Sequence, residues 1–150
     1  MTKVMRTQVA VIGAGPAGLL LSELLRNAGI DSIVIDRQSR GHIEARIRAG
    51  VLEWGTVEAL REVGVGARMD IEGIPHLGFE MCFDGQRHRI DLAGLADQKV
   101  MVYGQTELTK DLIANRLSSG APIIFEASKV QIDEVTSQKP QVSFELNGLT

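Results

Sequence analysis

The chain opens with a short, almost continuously apolar and β-branched run, Thr7-Gln8-Val9-Ala10-Val11-Ile12. Such a run predicts a strand buried on both faces of a parallel sheet. A glycine turn follows, and beyond it the period changes. From Ala17 to Asn27, and on to Ala28, apolar residues fall at Leu20, Leu21, Leu24, Leu25 and Ala28. That spacing predicts a helix with these positions on one face. Gly29 stands where a left-handed residue would close the helix. Ser32-Ile33-Val34-Ile35-Asp36 predicts a second buried strand, completing a βαβ unit whose crossover should be right-handed.

The pattern then loosens. Arg37 to Arg48 is polar and cationic without a clear period. Val51 to Val63 predicts a helix with Leu52, Val57, Leu60 and Val63 on one face and Gly64 as its cap. Phe79–Phe83 and Arg87–Leu92 flank Asp84-Gly85-Gln86, which predicts a hairpin around an Asp-Gly turn. A strand at Val100–Tyr103 should lead into a helix from about Thr106 to Leu117. Further strands are expected at Ile123–Phe125 and Ala127–Val135. Gln141–Leu146 alternates polar and apolar residues as a half-buried strand does, and Asn147-Gly148 is a hairpin-turn signal. Only Leu149 and Thr150 follow. The partner strand is therefore expected beyond residue 150, with this chain the amino-terminal part of a longer protein.

Composition narrows the classes. The 150 residues suffice for one ordinary domain, and 44% hydrophobic with 23% charged residues is a globular balance. A net charge of −3 argues against a general nucleic-acid binder, and 4% aromatic residues argue against a base-stacking surface. One cysteine, Cys82, excludes an internal disulfide and a four-cysteine zinc site, and is read as a small buried apolar residue. Lys3 and Arg6 precede an apolar stretch, but Gly13-Ala14-Gly15-Pro16 interrupts it, and no window is long enough to span a membrane. The expected protein is soluble and cytoplasmic, with no nucleic-acid or membrane partner.

Chemistry enters at the glycine turn. Gly13-Ala14-Gly15-Pro16-Ala17-Gly18 reads G-x-G-x-x-G between a predicted strand and a predicted helix. In that context each glycine has its own task. Gly13 allows the tight turn, Gly15 lets a diphosphate approach the backbone, and Gly18 lets helix and strand pack closely. The diphosphate would sit at the helix N-terminus, where N–H groups and about half a positive charge favour an anion. Asp36 ends the second strand eighteen positions after Gly18, where a carboxylate accepts from ribose hydroxyls. The pattern defines a Rossmann-like dinucleotide site in an α/β fold: a parallel sheet built on the βαβ unit, plus an additional hairpin and mixed-strand region. It does not by itself choose between FAD and NAD.

Behind the acid the sign of charge reverses. Arg37, Arg40, His42, Arg46 and Arg48 lie within one short stretch, opposed only by Asp36 and Glu44. Guanidinium groups present planar forks of donors that suit phosphate. The alternative is a solvated run of little energetic consequence. A cation beside the ribose acid, here Arg37, also suits the 2′-phosphate of NADP.

Three stretches together carry a resemblance: Val9 to Leu21, Arg46-Ile47-Arg48-Ala49-Gly50-Val51-Leu52-Glu53, and Val102-Tyr103-Gly104-Gln105-Thr106-Glu107. In this order and spacing the chain resembles the single-component, FAD-dependent aromatic hydroxylases, nearest to the members that act on 4-hydroxybenzoate. The resemblance runs through the whole chain and weakens after about Ala121. It implies that Gly13, Gly15, Ala17 and Gly18 cradle the FAD diphosphate and that Asp36 holds the adenosine ribose. It further implies that Arg46, Ile47, Arg48, Ala49, Gly50 and Val51 run along the flavin, with Arg48 near the diphosphate. Gln105 would bind toward the ribityl or diphosphate portion. Arg37, Gln38, His42 and Arg46 correspond to the surface that takes NADPH. The implied reaction uses NADPH and O2 to place a hydroxyl at C3 of the phenol, giving 3,4-dihydroxybenzoate, in a homodimer when full length. The substrate site and a second FAD motif would lie beyond Thr150.

Two departures stand out. The ribose acid is usually Glu and here is Asp36, one methylene shorter. His42 stands where an aromatic hydroxyl residue is usual in NADPH-specific members, which leaves NADH open as the reductant. No catalytic residue is expected within this stretch, since His42, His76 and His88 form no nucleophile or metal constellation. Other readings are a flavin hydroxylase of a different phenol, an NAD(P)-dependent Rossmann dehydrogenase, or a non-catalytic nucleotide-binding module.

Overall fold

The computed structural model describes residues 4–146. Its elements begin β1 (Val9–Ile12), α1 (Pro16–Asn27), β2 (Ser32–Ile35), α2 (Arg40–Ala45), β3 (Val51–Glu53), α3 (Trp54–Glu62) and α4 (Ala67–Glu72). They continue β4 (Ile74–His76), β5 (Gly78–Phe83), β6 (Gln86–Asp91), α5 (Leu92–Ala96), β7 (Val100–Val102) and α6 (Gln105–Ser118). Last come β8 (Ile123–Ile124), β9 (Ala127–Asp133) and β10 (Gln141–Leu146). The Asn147-Gly148 turn lies outside the described residues. The chain divides into two units, one comprising the residues up to Arg46 and those from Thr109 on, the other Ile47–Leu108.

The first unit is built on a parallel sheet ordered β1-β2-β8. Val9 lies opposite Ser32 and Ile12 opposite Ile35, while Val34 and Ile35 pair with Ile123 and Ile124. The central strand β2 is buried throughout, as its apolar run predicts. β1 is not: it has a single neighbour among the described strands, and Ile12 is 48% exposed. On one face of β2, Ile33 and Ile35 form a core with Ala127, joined by Val130, Val142 and Phe144 of the β9–β10 hairpin. Burying Ile33 and Ile35 contributes about 1.5–3 kcal/mol each. Helix α1 packs on β2 as well.

The helix α1 corrects one reading. Its buried positions are Leu19, Ser22 and Glu23, while Leu21 is 47% exposed and Ala28 is exposed. The leucine stripe therefore faces partly outward, and the helix buries a carboxylate instead. Glu23 is held by Arg116 of α6, itself fully buried, whose guanidinium donates to the carbonyls of Ser32 at 2.7 Å and Pro122 at 3.0 Å. Glu23 Oε1 lies 3.5 Å from Arg116, and Oε2 accepts from Asn115 at 2.7 Å and Arg26 at 2.8 Å. Gly29 ends α1 as expected, at φ +72, with its N–H on Arg26 and that of Ile30 on Leu25. This is a Schellman closure.

The second unit holds an antiparallel sheet ordered β3-β7-β4. Val51-Leu52-Glu53 pairs with Val102-Met101-Val100, so the first three residues of the expected 51–63 helix form a strand, and the helix starts at Trp54. The four positions read as one face, Leu52, Val57, Leu60 and Val63, are all buried, together with Met69 and Met101. The β5–β6 hairpin turns at Asp84 and Gly85, both at positive φ (50 and 71), the type I′ geometry that Asp-Gly favours. Cys82 corrects a second reading: it is exposed, as is every residue of β5 from Phe79 to Phe83, and it lies opposite Arg87. His76 is exposed, and His88 stacks on Phe83 with ring centroids 4.2 Å apart.

In the same unit Asp70 accepts from the Arg61 guanidinium at 2.7 Å, which holds its carboxyl below the usual value of 3.8. A carboxylate depressed in the folded state stabilises the fold above its unfolded pKa and loses that contribution as pH falls through the folded pKa. Asp70 is therefore expected to titrate below pH 3.8 by NMR, and in an Arg61→Met variant to return to it. An unchanged midpoint would show that the pair does not persist in solution.

Candidate cofactor site

The glycine turn takes the shape its sequence predicts. Gly13 sits at φ +115, a conformation L side chains rarely adopt, and its N–H donates to the carbonyl of Ile35 at 2.8 Å. Gly15 is the extended N-cap of α1, and Pro16 follows at the first helical position, where its missing N–H leaves nothing unsatisfied. No side chain caps this end, and no acidic residue stands in its first turn. The N–H groups of Ala17 and Gly18 have no acceptor one turn back. A methyl group added at Gly15 would meet nothing within 4 Å, so the space over it is open. The same group at Gly18 would run into the Gly13 carbonyl oxygen and lie 3.2 Å from Val11 Cγ1. Open space over one glycine, a close backbone approach at another, and uncapped donors between them fit a diphosphate.

Asp36 lies at the end of β2 as expected, but its side chain turns to the backbone. Oδ2 accepts the Ala14 N–H at 2.7 Å and Oδ1 accepts the Gln38 N–H at 2.7 Å. Each carboxylate oxygen retains acceptor capacity for a hydroxyl. The β8–β9 connection runs beside this point, with the N–H groups of Ala127 and Glu126 on the carbonyls of Asp36 and Gln38. Glu126 adopts φ +59 there. Nothing in the sequence marks that approach.

The cationic stretch, read as irregular, contains the helix α2. The signal that the sequence reading missed is Ser39, whose Oγ accepts the His42 N–H at 3.2 Å as an N-cap before the first turn. Arg40 is engaged along its own helix with Glu44, Nε to Oε1 2.6 Å. Arg37, His42 and Arg46 are exposed, and Gln38 is half-buried. Thus Gly13, Gly15, Ala17, Gly18, Asp36, Arg37, Gln38, His42 and Arg46 all fall in the first unit.

The remaining expected residues fall in the second. Ile47, Arg48 and Ala49 are exposed and without regular structure, with Ile47 91% exposed. The Gly50 carbonyl accepts the Tyr103 N–H at 2.8 Å. A Cβ on Gly50 would lie 2.5 Å from the Tyr103 carbonyl oxygen and 2.7 Å from Gly104 Cα, so only glycine fits. This approach brings Gly50 and Val51 alongside the segment that enters α6 at Gln105.

The glycine turn belongs to a dinucleotide-binding class, and sequence comparison places the chain among its flavin-binding members. Residues 6–150 match the family described as FAD binding domain, and the chain belongs to that family. It is 45% identical over 145 residues to the p-hydroxybenzoate hydroxylase of Acinetobacter baylyi, covering 96% of this chain and 36% of that protein. The chain thus spans about a third of that relative's length. The solved p-nitrophenol 4-monooxygenase of Pseudomonas putida superposes with a TM-score of 0.71 at 22% identity, over 91% of this chain and 36% of that one. A flavoprotein/dehydrogenase from Cytophaga hutchinsonii gives 0.77 at 17% identity, over 97% and 36%. At these identities the two structures establish the shared fold.

Proposed function

We propose that this chain is the FAD-binding part of a flavin-dependent monooxygenase that hydroxylates 4-hydroxybenzoate at C3, with NADPH as reductant and O2 as oxidant. The observation that carries this is the uncapped glycine turn in a chain 45% identical to a p-hydroxybenzoate hydroxylase. Bound there, FAD supplies hydride acceptance and oxygen activation, while the protein positions and desolvates it. Gly13, Gly15, Ala17 and Gly18 hold the diphosphate, and Asp36 lies where the ribose is recognised. Arg46 to Val51 and Gln105 serve the flavin half, where exposed Ile47 and Val51 offer apolar contact. Substrate-binding residues belong to the part beyond residue 150.

Arg37, Gln38, His42 and Arg46 form the reductant surface in this reading. Arg37 is the group suited to the 2′-phosphate. In the full-length protein, Arg37→Ser is expected to raise KM for NADPH about 10–100-fold, the worth of one charge-assisted hydrogen bond, and to leave KM for NADH nearly unchanged. Equal effects on both would remove Arg37 from 2′-phosphate recognition. The function itself is tested by NADPH oxidation in the full-length protein with and without 4-hydroxybenzoate. Stimulated oxidation yielding 3,4-dihydroxybenzoate is expected; stimulation only by another phenol would keep the class and change the substrate.

A further inference from the structure

The acid at the end of β2 does more here than face a ribose. We propose that Asp36 is a positioning residue: it latches the glycine turn into its binding shape before any cofactor arrives. Ala14 lies between the first two glycines of the turn and is fully buried, and its N–H donates to Asp36 Oδ2 at 2.7 Å. The other oxygen takes the Gln38 N–H at 2.7 Å, so one carboxylate ties the turn to the segment leaving β2. The backbone of Asp36 is itself fixed, its N–H on the Ile124 carbonyl at 2.8 Å and its carbonyl on the Ala127 N–H at 3.0 Å. A carboxylate mounted on fixed backbone and closing two charge-assisted bonds holds a turn firmly.

The short stem is what makes this possible. Aspartate brings its oxygens down to the backbone of the turn; glutamate in the same place would carry them one methylene further out. The latch also divides the labour among the donors. Ala14 serves the turn's own geometry, which leaves Ala17 and Gly18 aimed at the diphosphate. Gly13, at φ +115, has little steric preference of its own to keep this shape.

The proposal rests on the FAD reading only for its consequence in binding, and its test separates the two. In cofactor-free full-length protein, amide proton shifts and hydrogen exchange of Ala14 and Gln38 would be followed in the parent, Asp36→Glu and Asp36→Asn. Both variants are expected to move the Ala14 amide proton upfield. Asp36→Glu should also speed its exchange about 10–100-fold, as losing a hydrogen bond to a charged group implies, while Asp36→Asn, with one acceptor oxygen for two N–H groups, should speed exchange at Ala14 or at Gln38. Val11 and Leu19 should keep their parent exchange rates, which reports an intact βαβ unit. FAD affinity should fall by a similar factor in Asp36→Glu, although that variant offers ribose a longer carboxylate. If Asp36→Glu keeps the parent Ala14 shift and exchange, the latch is wrong. If the parent protein binds no FAD but the amides respond as described, the latch stands and the cofactor reading falls.

Discussion

Replacing Gly18 with alanine is expected to leave the full-length protein without bound flavin and less stable. The added methyl has nowhere to go, since its nearest neighbours are the Gly13 carbonyl oxygen and Val11 Cγ1, one of them backbone. Relief requires α1 to lift from β1 or the turn to open, and overpacking of this kind costs about 1–3 kcal/mol. The lifted helix would also carry its N-terminal donors away from the diphosphate. Losing even two such bonds at about 1.5–3 kcal/mol each lowers affinity by at least about 100-fold. Gly15→Ala is the matched control. Its methyl enters open space, so stability in the cofactor-free protein should equal the parent's, while the proposed diphosphate site predicts that the same methyl weakens FAD binding. Flavin fluorescence titration and thermal melting of both variants read the two effects apart. Parent-like FAD affinity in Gly15→Ala would place the diphosphate elsewhere.

The largest effect on stability is expected at Arg116. Its side chain is 1% exposed and Glu23's is 0%, so each charge is shielded almost wholly from water. Burial pulls the arginine's pKa down, and Glu23 opposes that pull. Arg116→Met would leave the carbonyls of Ser32 and Pro122 and Oε1 of Glu23 without their donor. Breaking a buried pair in this way costs about 3–5 kcal/mol. The double variant Glu23→Gln with Arg116→Met removes both charges and should recover part of the loss. Urea unfolding of the three proteins provides the comparison. A single variant within about 0.5 kcal/mol of the parent, the range of an ordinary surface change, would mean the network carries no structural weight.

The same residues show what sequence could and could not reveal. The glycine turn was legible at Gly13, which sits at φ +115, and at Gly18, where a Cβ would run into the Gly13 carbonyl oxygen, whereas Gly15 sits in ordinary extended backbone under open space. The hairpin at Asp84-Gly85 was legible for the same local reason. Strand β3 was not, because Val51-Leu52-Glu53 has helix-compatible spacing and becomes a strand only through pairing with β7. Helix α1 was placed almost to the residue, but its buried face was misread. Four leucines and Ala28 outvoted Glu23 in the pattern, while the partner that buries Glu23, Arg116, lies 93 positions away. Asp36 was placed correctly at the end of β2, and its bond to Ala14 follows from a backbone path that spacing alone does not describe. Cys82 was read by residue type, whereas it lies in a hairpin strand whose residues 79–83 are all exposed.

The central claim, that the turn from Gly13 to Gly18 holds the diphosphate of FAD, is tested most directly by titrating the cofactor-free full-length protein with FAD and following flavin fluorescence. One FAD should bind per chain, with affinity lost in Gly15→Ala and retained at parent level in Arg37→Ser. No FAD binding, with a nicotinamide dinucleotide bound by the same glycines instead, would contradict it.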